Sequence, residues 1–65
     1  HVKIQVFTTE GALVKTVADE DAAGGIRTWE WSGRGERGET LASGLYLIRI
    51  RAPGINETKK TILVN

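Results

Sequence analysis

The sequence predicts an all-β fold, an antiparallel sandwich or small barrel, and three observations predict it. Apolar residues recur at every second position in several short runs. Those runs follow one another at spacings of roughly ten residues, and glycine-bearing turns separate them. No stretch carries helical periodicity, and no internal repeat is present. The chain has 65 residues, with eight Gly, one Pro, no Cys and no Met. A length of this order makes one small domain and excludes doubly wound sheets, (β/α) barrels and two-domain clefts.

Five strands are expected in order. In residues 1–8, Val2, Ile4 and Val6 alternate with Lys3, Gln5 and Phe7, the pattern of a half-buried strand. Thr9-Glu10-Gly11 makes a tight connection, with Gly11 free to take positive φ, into a strand over 12–17. There Leu13, Lys15 and Val17 share a face opposite Val14 and Thr16, and the two runs form a hairpin. Residues 18–25 lack a periodic apolar face and read as a loop carrying Asp19, Glu20 and Asp21. Alternation resumes over 27–31, with Trp29 and Trp31 on one side. Each indole can bury on the order of 200 Å², which predicts that this pair centres the core. Residues 32–39 hold three glycines and four charges and read as a solvated turn, and 40–44 as a short crossing. Tyr46, Ile48 and Ile50 then alternate with Leu45, Leu47, Arg49 and Arg51 in a strand over 45–51. Ala52-Pro53-Gly54 turns the chain into a last strand over 57–64.

Composition narrows the function classes. Without Cys there are neither disulfides nor thiolate-bound zinc, the staples of many small secreted domains. Nine Lys and Arg against eight Asp and Glu give a net charge of +1, too little for a broad field toward nucleic acid or an anionic membrane. No apolar run approaches the roughly 20 residues that span a bilayer. The absence of Met, and His1 standing directly before a strand, predict an excerpt or a processed product.

The order VKIQVF, EGALVKTV, AGG, WEWSGRGERGETLASGLYLIRI and ETKKTILVN resembles the immunoglobulin-like domain of the flagellar hook-capping protein. Similar modules close many secreted bacterial proteins, including the sorting domains of type IX secretion. The most specific stretch is Trp31-Ser32-Gly33-Arg34, then Gly38, then Ala42-Ser43-Gly44-Leu45-Tyr46, followed by Lys59-Lys60. Ser32 stands where that family usually has Asp, so a contact made by that Asp is not carried over. The resemblance implies an immunoglobulin-like antiparallel β-sandwich of which about five strands are visible, lacking one or two N-terminal strands. It further implies one non-catalytic module over residues 1–65, part of a larger secreted or cell-surface bacterial protein, serving assembly, display or export. No cofactor is implied. A self-assembling subunit of an extracellular filament or hook cap is the alternative, and a carbohydrate-binding accessory domain a distant third.

Residue patterns that carry chemistry elsewhere are weak here. Gly33-Arg34-Gly35-Glu36-Arg37-Gly38 has the spacing of a phosphate-cradling loop, but no helix can follow before the strand at 45. Asp19, Glu20 and Asp21 lack the glycine and glutamate positions of a calcium loop. Glu30, Glu36 and Glu39 have no sugar cleft in which to act as acid and base. His1 has neither a nucleophile nor a second metal ligand. Trp29, Trp31 and Tyr46 are better explained as core than as a stacking platform. Arg49, Arg51, Lys59 and Lys60 form a basic stripe of the ordinary kind on an open sheet face or edge. Asn56-Glu57-Thr58 fits an N-glycosylation pattern that matters only in a glycosylating secretory pathway. No catalytic, cofactor-binding or metal-binding residue is therefore assigned, and the binding residues are left open. The expected partner is protein. A complete sandwich of this class has about seven strands, so five leave an open flank for a strand supplied in cis by the parent chain or in trans by a neighbouring copy.

Overall fold

The computed structural model describes residues 1–21 and 29–64. Four strands, β1 (Val2–Thr8), β2 (Leu13–Glu20), β3 (Gly44–Ala52) and β4 (Ile55–Leu63), form one antiparallel sheet in the order β2-β1-β3-β4. Among the described residues there is no helix. The fold is all-β, and it is the antiparallel fold that the alternation predicts.

Register fixes which residues share a face, because directly opposed residues in an antiparallel ladder point the same way. Ile4 stands between Ala18 and Ile50, and Val6 between Lys15 and Ile48. Thr8 opposes Tyr46. The face built on these rows holds the core: Ile4, Val6, Ala18 and Tyr46 are buried, and Val6 is 0% exposed. Lys3, Gln5 and Phe7 point the other way and oppose Arg51, Arg49 and Leu47.

β2 departs from the expected alternation. Its register against β1 slips twice, so that Val17 and Val14 are extra residues between the pairs Ile4↔Ala18, Gln5↔Thr16, Val6↔Lys15 and Phe7↔Leu13. Each bulge sets two residues against one and inverts the facing of the residues beyond it. Leu13, Lys15 and Val17 therefore do not share one simple face. The strand also runs on to Glu20, taking in Ala18–Glu20 where a loop was expected. Asp19 opposes Lys3 there, a favourable pair of unlike charges. Of the expected loop, residues 22–25 lie outside the described residues.

Both hairpin turns have a local cause. Gly11 has φ 91° and its N–H donates to Thr8 O at 3.0 Å, while Thr8 Oγ1 accepts from the Ala12 N–H at 3.1 Å. Pro53 presets the first corner of the second turn and Gly54, at φ 77°, takes the positive-φ corner. Ala52 then pairs with Ile55, so β4 starts earlier than the expected residue 57.

β2 and β3 run parallel to each other with β1 between them, so the chain must travel back along the sheet before β3 can start. Residues 29–43 make that return across the core face. Trp29–Trp31 was expected within a fifth strand; it forms no ladder, and Arg27 and Thr28 lie outside the described residues. Alternation requires only an extended backbone, whereas a strand also needs a hydrogen-bonded neighbour. The described residues thus hold four strands and a cover segment that contains one small turn.

Val6→Ala removes two methyl groups from the fully enclosed position of β1 and is expected to cost about 2 kcal/mol. Val64→Ala, at a site 81% exposed, is expected to cost under about 0.5 kcal/mol. Urea titration of the two variants checks the contrast.

Candidate functional site

The two tryptophans lie half-buried over the core face. Trp29 Nε1–H donates to Glu20 Oε1 at 3.1 Å, tying the cover to the end of β2. Trp31 Nε1–H donates to Arg34 O at 3.0 Å. The Trp31 ring meets Tyr46 edge to face, with centroids 5.7 Å apart and planes at 68°, a favoured aromatic geometry. Between the indoles and the sheet lies an apolar cavity of about 280 Å³, floored by Ile4, Val6, Val17, Ile48 and Ile50, with Lys59 at its side. The cavity is partly open to solvent, and it has the size and lining to take apolar side chains. Both indole N–H groups are engaged and both rings are half-buried, so the pair lies as a cover beside the buried core of Ile4, Val6, Ala18 and Tyr46 and does not form its centre.

The glycine-rich stretch is a miniature hairpin. Arg34 bridges Thr40, Gly38 N–H donates to Gly35 O at 3.0 Å, and Gly35 N–H donates to Glu39 O at 3.1 Å. Arg34 Nη1 donates to Gly38 O at 3.2 Å and to Thr40 Oγ1 at 3.3 Å. Gly33, at φ 78°, passes so near β4 that a Cβ there would stand 2.7 Å from Leu63 Cδ1. The Glu39 carboxyl is held below its ordinary range by its own backbone N–H and that of Arg37, the latter at 2.9 Å. Glu36 accepts from the Thr16 N–H on the outer edge of β2. Both carboxylates accept from backbone donors, Glu39 within this turn and Glu36 across to β2. Glu30 is exposed.

Tyr46 sits near the start of β3, and its hydroxyl donates to Ala42 O at 2.6 Å, four residues upstream. A tyrosine at a strand entry bonded back to nearby backbone is a hallmark corner of immunoglobulin-like sandwiches. The order β2-β1-β3-β4, with a cover segment crossing between β2 and β3, is the C′-C-F-G sheet of such a sandwich with the following chain in the place of strand E. A family model described as the FlgD Ig-like domain matches residues 1–54. The chain belongs to the FlgD Ig-like domain family. This is the immunoglobulin-like domain type of a flagellar hook-capping protein, a structural and non-catalytic one. No curated protein and no solved structure matches the chain. In this FlgD Ig-like domain the match ends at the Pro53-Gly54 turn, so β4 with Lys59 and Lys60 lies beyond it.

Outside its core face, among the described residues, the FlgD Ig-like domain carries a polar cluster at the start of β1 that sequence reading missed. His1 donates from Nδ1 to Asp21 Oδ1 at 2.9 Å and from Nε2 to Asp19 Oδ1. Both ring nitrogens face acceptors, which requires the doubly protonated ring. The Asp19 bond, then that to Asp21, raises the His1 pKa above 6.5. The His1 bond in turn lowers the Asp19 pKa below 3.8. Only the β1/β2 register, which lays His1 beside the end of β2, could have signalled this pairing. Among the described residues no group of three or more His, Cys, Asp or Glu is placed to hold a metal ion. Asn56-Glu57-Thr58 lies exposed on edge strand β4.

The expected basic stripe is divided by the pleat. Lys59 opposes Ile48 and faces the core side, whereas Lys60 opposes Leu47 and shares the outer face with Arg49 and Arg51. Lys3, opposite Arg51, joins them there.

The His1 cluster sets a pH window. A raised His1 pKa adds stability that is complete below 6.5 and fades as pH rises through the folded-state value; a lowered Asp19 pKa adds stability that is complete above 3.8 and fades as pH falls through its folded-state value. The cluster's contribution is thus fullest between 3.8 and 6.5. An NMR titration of the His1 ring is expected to show a midpoint above 6.5 that drops in Asp19→Asn.

Proposed function

We propose that the chain, as one module, is a structural element of assembly, display or export in a larger extracellular or surface-exposed bacterial protein, and that its core face is closed by a further strand. The apolar cavity under Trp29 and Trp31 carries this reading. A sheet in C′-C-F-G order needs a second layer, of which the described residues of the cover segment take the E place. The A and B places precede C in an immunoglobulin-like chain, so a segment ahead of β1 in the parent polypeptide is the natural source. Its alternate side chains would enter the cavity against Ile4, Val6, Ile48 and Ile50, and its backbone would ladder with the cover. Such a part is mechanical: it adds apolar burial to a domain of about 60 residues, a size that shields only about 60% of its unfolded surface.

Sedimentation velocity with a hydrophobic dye tests the reading on the 65-residue chain. The expected result is dye binding by a loosely folded monomer, reduced in Ile48→Glu and kept in Arg49→Glu. Large linear assemblies would instead place the closing strand in a neighbouring copy. A compact, monodisperse monomer that binds no dye would overturn closure by any further segment.

A further inference from the structure

The sheet face turned away from the tryptophans has a pattern of its own. One end is apolar: Phe7 opposes Leu13 on one side and Leu47 on the other, and Leu45 opposes Ile62. Leu13 is 52% exposed and Ile62 74%. The other end is basic, with Lys3 opposite Arg51 and Arg49 between Gln5 and Thr58, while Lys60 stands opposite Leu47 at the rim of the apolar rows. The carboxylate on these rows among the described residues is Asp19, which opposes Lys3 and is also bonded by His1. Where the two ends meet, a shallow cavity of about 250 Å³ is lined by Phe7, Leu47, Arg49 and Thr58.

We infer that this outer face docks an extended acidic protein segment, one that presents an apolar side chain followed by carboxylates at every second position. Charge complementarity selects the acid: Lys3 is opposed by Asp19, yet Arg49, Arg51 and Lys60 still crowd the same sign onto one surface of a chain whose net charge is only +1. Geometry selects the spacing. Leu47, Arg49 and Arg51 are successive same-face residues of β3, about 7 Å apart, which is also the same-face repeat of an extended partner. An apolar side chain seated in the cavity against Phe7 and Leu47 therefore brings the next same-side carboxylate to Arg49 and the one after to Arg51. The apolar half favours protein over nucleic acid, whose outer surface is phosphate. The face lies on the opposite side of the sheet from the tryptophan cover, so docking here is independent of what closes the core.

The probe is a peptide, acetyl-Gly-Ser-Leu-Ser-Glu-Ser-Glu-Ser-Gly-amide, titrated into the isotope-labelled full chain and followed by amide NMR shifts. Expected are shifts at Phe7, Leu47, Arg49 and Arg51, affinity roughly tenfold weaker in Arg49→Glu, and further weakening as salt rises. Replacing the peptide's Leu by Ser is expected to weaken it, and replacing its Glu residues by Lys to abolish it. If Arg49→Glu loses its β circular dichroism, Lys60→Glu on exposed β4 takes its place with the same expectation. Absence of shifts at millimolar peptide, equal binding of the Lys peptide, shifts confined to the tryptophan side, or tighter binding of oligothymidylate to the same residues would each overturn the inference.

Discussion

One-sided burial of the sheet governs the rest of the molecule. Ile4 and Val6 of β1, flanked by Ile50 and Ile48 of β3, make a strip that water must not reach, and the protein covers it with Trp29 and Trp31. The strand order follows from the same need. With β1 between two parallel strands, the chain has to return along the sheet, and sending that return across the apolar strip gives the strip its cover. The fixings of the cover are polar: Trp29 on Glu20 and Glu36 on the Thr16 N–H hold it to β2, and the Tyr46 hydroxyl holds Ala42 at the entry to β3. Between them the cover bridges a gap instead of filling it.

How much of this could be read in advance depended on whether the pleat stayed regular. In β1 and β3 each residue faces where strict alternation puts it, and the core side of both strands was legible to the residue. In β2 the bulges at Val14 and Val17 invert the facing twice, and a one-residue slip leaves no mark in composition. The same physics separates Lys59 from Lys60: adjacency in sequence placed them together, and the pleat puts them on opposite faces. The Trp29–Trp31 alternation placed both indoles on one side, and both do line the cavity over the core face. It carried no information about a hydrogen-bonded neighbour, and residues 29–31 form no strand. The His1 contacts with Asp19 and Asp21 were invisible because they span the whole hairpin and depend on where β2 ends.

The site itself was legible only as a deficit. Strand number against the seven of a complete sandwich pointed to something missing. Where it is missing required coordinates. Among the described residues the open place is in the second layer, where the apolar cavity lies above the Ile4–Val6 strip. A void of that kind differs from an exposed edge in what it demands of an occupant. Backbone hydrogen bonds alone can satisfy an edge, whereas a cavity floored by Ile and Val must be filled by side chains of fitting volume.

The edges support that distinction. β2 offers a poor template: its two bulges break the spacing of donors and acceptors, and the Glu36 carboxylate occupies the Thr16 N–H. On the other rim, β4 keeps an unbroken register against β3 from Gly44↔Leu63 to Ala52↔Ile55, which would invite pairing, but Lys59 and Lys60 stand at its middle. Charged residues at an edge oppose addition of a like strand. Lys59 also faces the cavity, where its aliphatic stem can lie along the apolar wall while the ammonium stays in water. The two rims are thus blunted by different means, irregularity on one side and charge on the other. With lateral growth discouraged at both, the surfaces left for specific association are the two faces of the sheet: one asks for apolar volume and the other for negative charge.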